Sequence, residues 1–144
     1  MNKAIIVQSV IFKADRMVCL VKVAADAPAF TTSELADRLL VRHPRLARHA
    51  CVNKFGTTFG DCLPRTSLPH VLEHLVIDCQ VSYDDDEYVG TTEWLDQDER
   101  TARIELSYRD DLAALSALRQ ALDLLDGLLD DDDVIPRPNG EGRA

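Results

Sequence analysis

His70, Glu73 and His74 are the residues of this chain whose types and spacing could do chemistry. They lie in "SLPHVLEHLVID" as H-x-x-E-H. Histidines four residues apart stand one turn apart on a helix, roughly 6 Å along its axis, so both imidazoles can reach one ion. Zinc suits nitrogen ligands, and a catalytic zinc keeps three protein ligands and one open position. Zinc held there would make water a usable nucleophile near neutral pH. Glu73, adjacent on the same face, could take the water's proton and hand it to a leaving amine. The order of the motif is the inverse of the H-E-x-x-H metallopeptidase pattern.

Two histidines do not hold a catalytic zinc, so a third ligand is required. Asp78 lies about 12 Å along the helix from His70, too far to share one ion with both histidines. It is expected instead as a partner that orients His74. Glu105 is the preferred third ligand, because it sits mid-strand with parity opposite to Ile104 and Leu106. Glu93 and Glu87 are the fallbacks. His43 and His49 read as structural or solvated. The competing account of the motif is that a helix with one polar face is the default for any surface helix.

The motif needs a helix beneath it. On a wheel of ~100° per residue, Val71, Leu72, Leu75, Val76 and Cys79 gather on one side. His70, Glu73 and His74, joined by Ile77, gather on the other. Ser67 is a plausible N-cap and Pro69 is tolerated in the first turn, so the spacing predicts a helix over 67–80. Upstream, "AIIVQSVIF" and "MVCLVKVAA", separated by "KADR", predict an antiparallel hairpin. "TTSELADRLLVRH" predicts a helix with a Thr31/Glu34 capping box. Residues 42–64 read as irregular, with turns at Gly56 and Gly60. "SYDDDE" reads as a turn or loop. "EYVGTTEWL" and "TARIELSY" predict two further strands. "LAALSALRQALDLLDGLL" predicts a helix whose stripe is Leu112, Leu115, Leu118, Leu122 and Leu125.

The expected architecture is α+β: an antiparallel or mixed sheet of about four strands, with three helices mainly on one face. Residues 1–130 form the single domain. Residues 131–144, acidic and rich in Pro and Gly, form a tail expected to be disordered.

The 144 residues suit one domain. Hydrophobic content of 46% and charged content of 28% match a globular protein. A net charge of −9 argues against nucleic acid and anionic membrane as partners and favours a cationic ligand. No stretch approaches the ~20 apolar residues of a membrane span. The N-terminus does not read as a secretory signal, and Cys19, Cys51, Cys62 and Cys79 contain no C-x-x-C pair. Reduced thiols and a cytoplasmic location are the expectation.

The run "HPRLARHAC", then "FG", "SLPHVLEHLVIDCQ", "YVGTTEW" and "ARIELSYRDDLAALSALRQALDLL" resembles the N-terminal domain of cyanophycin synthetase over residues 35–129, most specifically over 68–80. Those synthetases build a polymer with an aspartate backbone, each aspartate carrying an arginine on its side-chain carboxyl. Their ligase domains have no counterpart here, and the chain lacks a G-x-x-x-x-G-K-[ST] phosphate loop. The resemblance is thus to the N-domain standing alone. It implies polymer binding and, as in some members, a zinc-dependent peptidase site. It implies His70 and His74 as zinc ligands, Glu73 as the base, and a downstream acidic ligand for which Glu105, in "RIELSY", stands in the matching strand. The family tends to have glutamate where Asp78 stands. Its Arg- and Gly-rich stretch before the third strand is here the acidic "SYDDDEYVGTTEW". The functional expectation is a zinc metallopeptidase-like domain hydrolysing peptide or isopeptide bonds in arginine-rich or aspartyl-arginine substrates. The alternative is a non-catalytic binding module for a cationic peptide or a partner of the same pathway.

Overall fold

Two hairpins of apolar, β-branched sequence supply the main sheet. In the computed structural model, which describes residues 3–81 and 87–134 (side chains of 131–134 excepted), β1 (Ile5–Phe12) pairs with β2 (Met17–Val23), and β5 (Gly90–Trp94) with β6 (Thr101–Leu106). β2 also pairs with β6, giving a four-stranded antiparallel sheet of order β1-β2-β6-β5. Between the hairpins run α1 (Ser33–Arg42), a 3-10 turn (Pro44–Arg48), a small hairpin of β3 (Ala50–Asn53) and β4 (Gly56–Thr58), the one-turn α2 (Phe59–Cys62), a second 3-10 turn (Leu63–Arg65) and α3 (Leu68–Val81). Helix α4 (Asp111–Val134) closes the described chain. The fold is α+β as expected, with four α-helices rather than three.

Period-2 alternation sorts the sheet into two faces. On β6, Ala102, Ile104 and Leu106 are buried, while Thr101, Arg103 and Glu105 face the other way. Met17, Cys19 and Val21 of β2 join the buried set. Helix α3 packs on it across β5 and β6 and lies against α4. Burial of each Leu or Ile there stabilises the domain by about 1.5–3 kcal/mol relative to exposure.

Several local expectations are corrected. Thr32, not Thr31, caps α1: its Oγ1 accepts from the Leu35 N–H at 3.1 Å. Thr31 instead donates to the Leu63 carbonyl at 2.6 Å and accepts from the Thr66 N–H, tying α1 to the start of α3. The segment read as irregular contains the β3–β4 hairpin and α2. Gly60 serves close approach rather than an unusual backbone angle, since a Cβ there would lie 2.7 Å from the Ala47 carbonyl oxygen. On α4 the buried apolar residues are Ala114, Ala117, Leu118, Ala121, Leu125 and Leu128, whereas Leu112 and Leu115 are exposed. Three alanines let α4 approach α3 closely, and the contact face is rotated from the leucine stripe. The helix continues to Val134, past the expected boundary at 130. The rest of the expected tail and most of the "SYDDDE" loop lie outside the described residues. Among the described residues no helix is long and apolar enough to cross a membrane.

Candidate metal centre

Helix α3 begins as its sequence requires: Ser67 Oγ accepts from the His70 N–H at 3.2 Å, and Pro69 occupies the first turn. The polar side of the helix is not wet. Glu73 and His74 are each 3% exposed and Asp78 is 2% exposed. The 3-10 turn and the β3–β4 hairpin flank this side from one direction, and β5 from the other. Between them lies a cleft of about 930 Å³ whose walls include Arg48, Cys51, His70, Glu73, His74 and Thr92.

Phe59 of α2, fully buried, braces the two rings. It stacks on His74 with centroids 3.9 Å apart and meets His70 edge-on at 5.0 Å. The Nδ1 of His70 is 2.8 Å from Thr66 Oγ1, and its Nε2 is 3.6 Å from Cys51 Sγ. Ligand atoms of Cys51, His70 and His74 all lie within 4.8 Å of one another. Glu73 sits between the rings, with Oε1 3.9 Å from His70 Nε2 and Oε2 3.7 Å from His74 Nε2. Thr92 Oγ1 donates to Glu73 Oε1 at 2.7 Å. The carboxylate fills the space a side chain at position 90 would take: a Cβ on Gly90 would be 2.9 Å from Glu73 Oε2.

Burial sets the protonation of these groups. It pushes His74 down to about 2, helped by the neighbouring His70 and His49 rings, and lowers His70 as well. Both are therefore neutral near pH 7, the form that ligates metals. Burial raises Glu73 to about 7 against the opposing hydrogen bond from Thr92. For Asp78, burial favours the neutral form. The hydrogen bonds to His43 and His49 and the charge of Arg45 outweigh it and hold the carboxyl well below the usual range.

The structure brings His70, Glu73 and His74 together, but not with Glu105. Glu105 lies on the opposite face of the sheet, 2.7 Å from Arg16 Nε and 3.4 Å from Arg103 Nε. Glu93 shares that face and pairs with Arg103. Glu87 lines the cleft. Asp78 reaches His74 by way of His49. Its Oδ2 is 2.6 Å from His43 Nδ1 and its Oδ1 is 3.2 Å from His49 Nε2 and 3.3 Å from Arg45 Nε. His49 Nδ1 in turn is 3.0 Å from His74 Nδ1. His43 and His49 thus belong to the polar network under the site. Cys51 belongs to no C-x-x-C pair and is not a carboxylate, so neither pattern pointed to it. The signal was its place two residues after His49 at the start of a short strand, a spacing that puts both side chains on one side.

The fold and the cluster define a small α+β domain with a Cys–His–His group, buried at His74 and half-buried at Cys51 and His70, that could hold a metal. Residues 16–130 match the model of the cyanophycin synthase-like N-terminal domain, and the chain belongs to that family. No curated protein matches it.

Proposed function

We propose that this domain is a zinc-dependent hydrolase of peptide or isopeptide bonds, with Cys51, His70 and His74 holding the metal and Glu73 serving as general base. The observation that carries the reading is the convergence of those three ligand atoms within 4.8 Å, beside a carboxylate 3.7 to 3.9 Å from both rings. The donor set fits the metal. Tetrahedral zinc, with bonds of about 2.0–2.1 Å to nitrogen and 2.3 Å to sulfur, needs a nitrogen–sulfur separation of about 3.6 Å. The Cys51 Sγ to His70 Nε2 distance is 3.6 Å. Three protein ligands leave the fourth position open, the arrangement of catalytic rather than structural sites. Cys51 takes the place first assigned to Glu105.

When bound, zinc would act as a Lewis acid that makes water nucleophilic near neutral pH. Glu73 takes the proton of the attacking water and returns it to the leaving amine. A proton affinity near neutrality suits a group that must do both. Thr92 and the space left by Gly90 fix the carboxylate between the rings.

The β5 edge supports an extended peptide as substrate. Val89 and Leu95 hydrogen-bond across to Ser107 and Thr101, so alternation turns the N–H and C=O groups of Gly90 and Thr92 away from β6. Among the described residues no strand pairs with that edge, which borders the cleft and could accept a guest strand. The family places the chain in a cyanophycin-related context. The net charge of −9 favours a substrate that presents guanidinium groups, as each zwitterionic repeat of an aspartyl-arginine polymer does. Metal analysis of protein purified metal-free and re-exposed to zinc tests the reading. One zinc per chain is expected, lost in His70→Ala/His74→Ala and weakened in Cys51→Ser, with release of aspartyl-arginine fragments by the wild type and none by Glu73→Gln. No zinc uptake at micromolar metal ends it. Zinc uptake and polymer binding without cleavage would favour the non-catalytic alternative.

A further inference from the structure

The chain of contacts from Asp78 through His49 to His74 has a direction. Asp78 is an ionised carboxylate, gripped by Arg45 and His43, so it can only accept hydrogen bonds. His49 Nε2, 3.2 Å from Asp78 Oδ1, must therefore be the protonated nitrogen of that ring. In neutral His49 the other nitrogen, Nδ1, is then a bare acceptor. It faces His74 Nδ1 at 3.0 Å. Two bare nitrogens at that distance would repel, so His74 donates its Nδ1–H to His49. The second nitrogen of His74, the Nε2 that lies 3.7 Å from Glu73 Oε2, is left without a proton. The ring cannot turn to escape this assignment, because Phe59 is stacked on it and it is only 3% exposed.

We propose that His49, backed by Asp78, is a positioning residue that selects the tautomer of His74, keeping the proton on Nδ1 and the Nε2 lone pair directed into the cleft. The reverse tautomer would place an N–H where a ligand lone pair is required, and the ring could not bind a cation without a rearrangement of the whole network. The inference rests on the metal-hydrolase reading for its purpose, but the tautomer itself exists in the metal-free protein and is measured there. His49 acts through His74 and need not touch substrate.

The test is nitrogen-15 NMR of histidine-labelled, metal-free protein near pH 8, where the four histidines are few enough to assign by substitution. The wild type is expected to carry the His74 proton on Nδ1. In His49→Leu the acceptor is gone, and the proton is expected to move wholly or partly to Nε2, with zinc affinity lower by about 10- to 100-fold, the range for loss of an outer-shell partner. His49→Asn places an amide oxygen near the former Nδ1, and should restore both the tautomer and most of the affinity. A merely structural role for His49 would lower stability in both variants without moving the proton. The proposal is overturned by a wild-type His74 protonated on Nε2, or by an unchanged tautomer in His49→Leu. The wild-type spectrum decides the first point even if a variant fails to fold. A correct tautomer in a wild type that takes up no zinc would refute the hydrolase reading and leave this one standing.

Discussion

Replacing Glu73 by Gln should stabilise the metal-free protein, by an amount that grows from nothing below about pH 4.5 to its full size near pH 7. Glu73 is 3% exposed, and burial raises its carboxyl from 4.5 to about 7. The folded state therefore holds the proton more tightly than the unfolded state. Its contribution to stability is fully present below about pH 4.5 and is lost as pH rises through about 7. Ionising the buried group at higher pH costs the fold about 3 kcal/mol. A glutamine side chain resembles the protonated carboxyl and can still accept from Thr92 Oγ1. Near pH 4.5 Glu73→Gln and wild type should thus unfold at similar urea concentrations. Near pH 8 the variant should be more stable by about 3 kcal/mol, roughly 10 °C in Tm. His74 and Asp78 titrate in both proteins and drop out of the difference. The assay is urea denaturation with a chelator present, repeated across this pH range. A difference that does not change with pH, or a variant less stable near pH 8, would refute the claim that Glu73 is held in a low-dielectric site.

Gly90→Ala should destabilise the domain by about 1–3 kcal/mol in urea denaturation, because its Cβ would lie 2.8 Å from Leu106 Cδ2 and 2.9 Å from Glu73 Oε2. Asp78→Ala removes a 2%-exposed carboxylate that serves His43, His49 and Arg45, and should cost about 3–5 kcal/mol. Asp78 has a lowered folded pKa, so its contribution is present above about pH 3.8 and lost as pH falls. The gap between wild type and Asp78→Ala, followed by thermal melts, should narrow in acid. Thr92→Val removes the hydrogen bond that favours ionised Glu73, so the pH at which stability falls should move upward in the same urea series.

The strands and long helices were legible because their signals are local. β-branched runs, the Ser67 cap and the alternation of Ala102, Ile104 and Leu106 each report on a few adjacent residues. What failed depends on what packs against what. The helical wheel separated His70, Glu73 and His74 from the apolar side of α3, but no single helix reveals that a loop and a sheet edge will bury its polar face. Alanine and leucine are both apolar, so the periodicity of α4 did not reveal that close packing on α3 would select Ala114, Ala117 and Ala121 over Leu112 and Leu115. Glu105 had the right chemistry and the right strand. Its parity opposite to Ile104 and Leu106 already implied the sheet face away from α3, and the Arg16 and Arg103 pairs show where it went. Cys51 and His49 come from the segment that looked least ordered, whose short hairpin and single turns fall below the length at which periodicity speaks.

Burial also changes what the alternatives predict. On a solvated helix face, alanine at these positions would change stability by no more than ~0.5 kcal/mol. With Glu73, His74 and Asp78 all buried, no reading can be neutral, and the sign becomes the discriminator. A network selected for stability should lose stability when any member is neutralised. A network that keeps an ionisable acid where the fold disfavours its charge should gain stability when that acid becomes Gln, and lose it when the Asp78 support is cut. The opposite shifts of Glu73 and Asp78, raised in one and lowered in the other within one turn and a half of α3, are the pattern expected when one carboxylate is built to exchange a proton and the other to stay charged. Apolar residues could fill the same space at lower cost to the fold. A thiol, two neutral imidazoles and a carboxyl group whose charge the fold disfavours, gathered around one cleft, therefore argue for a site that binds and reacts.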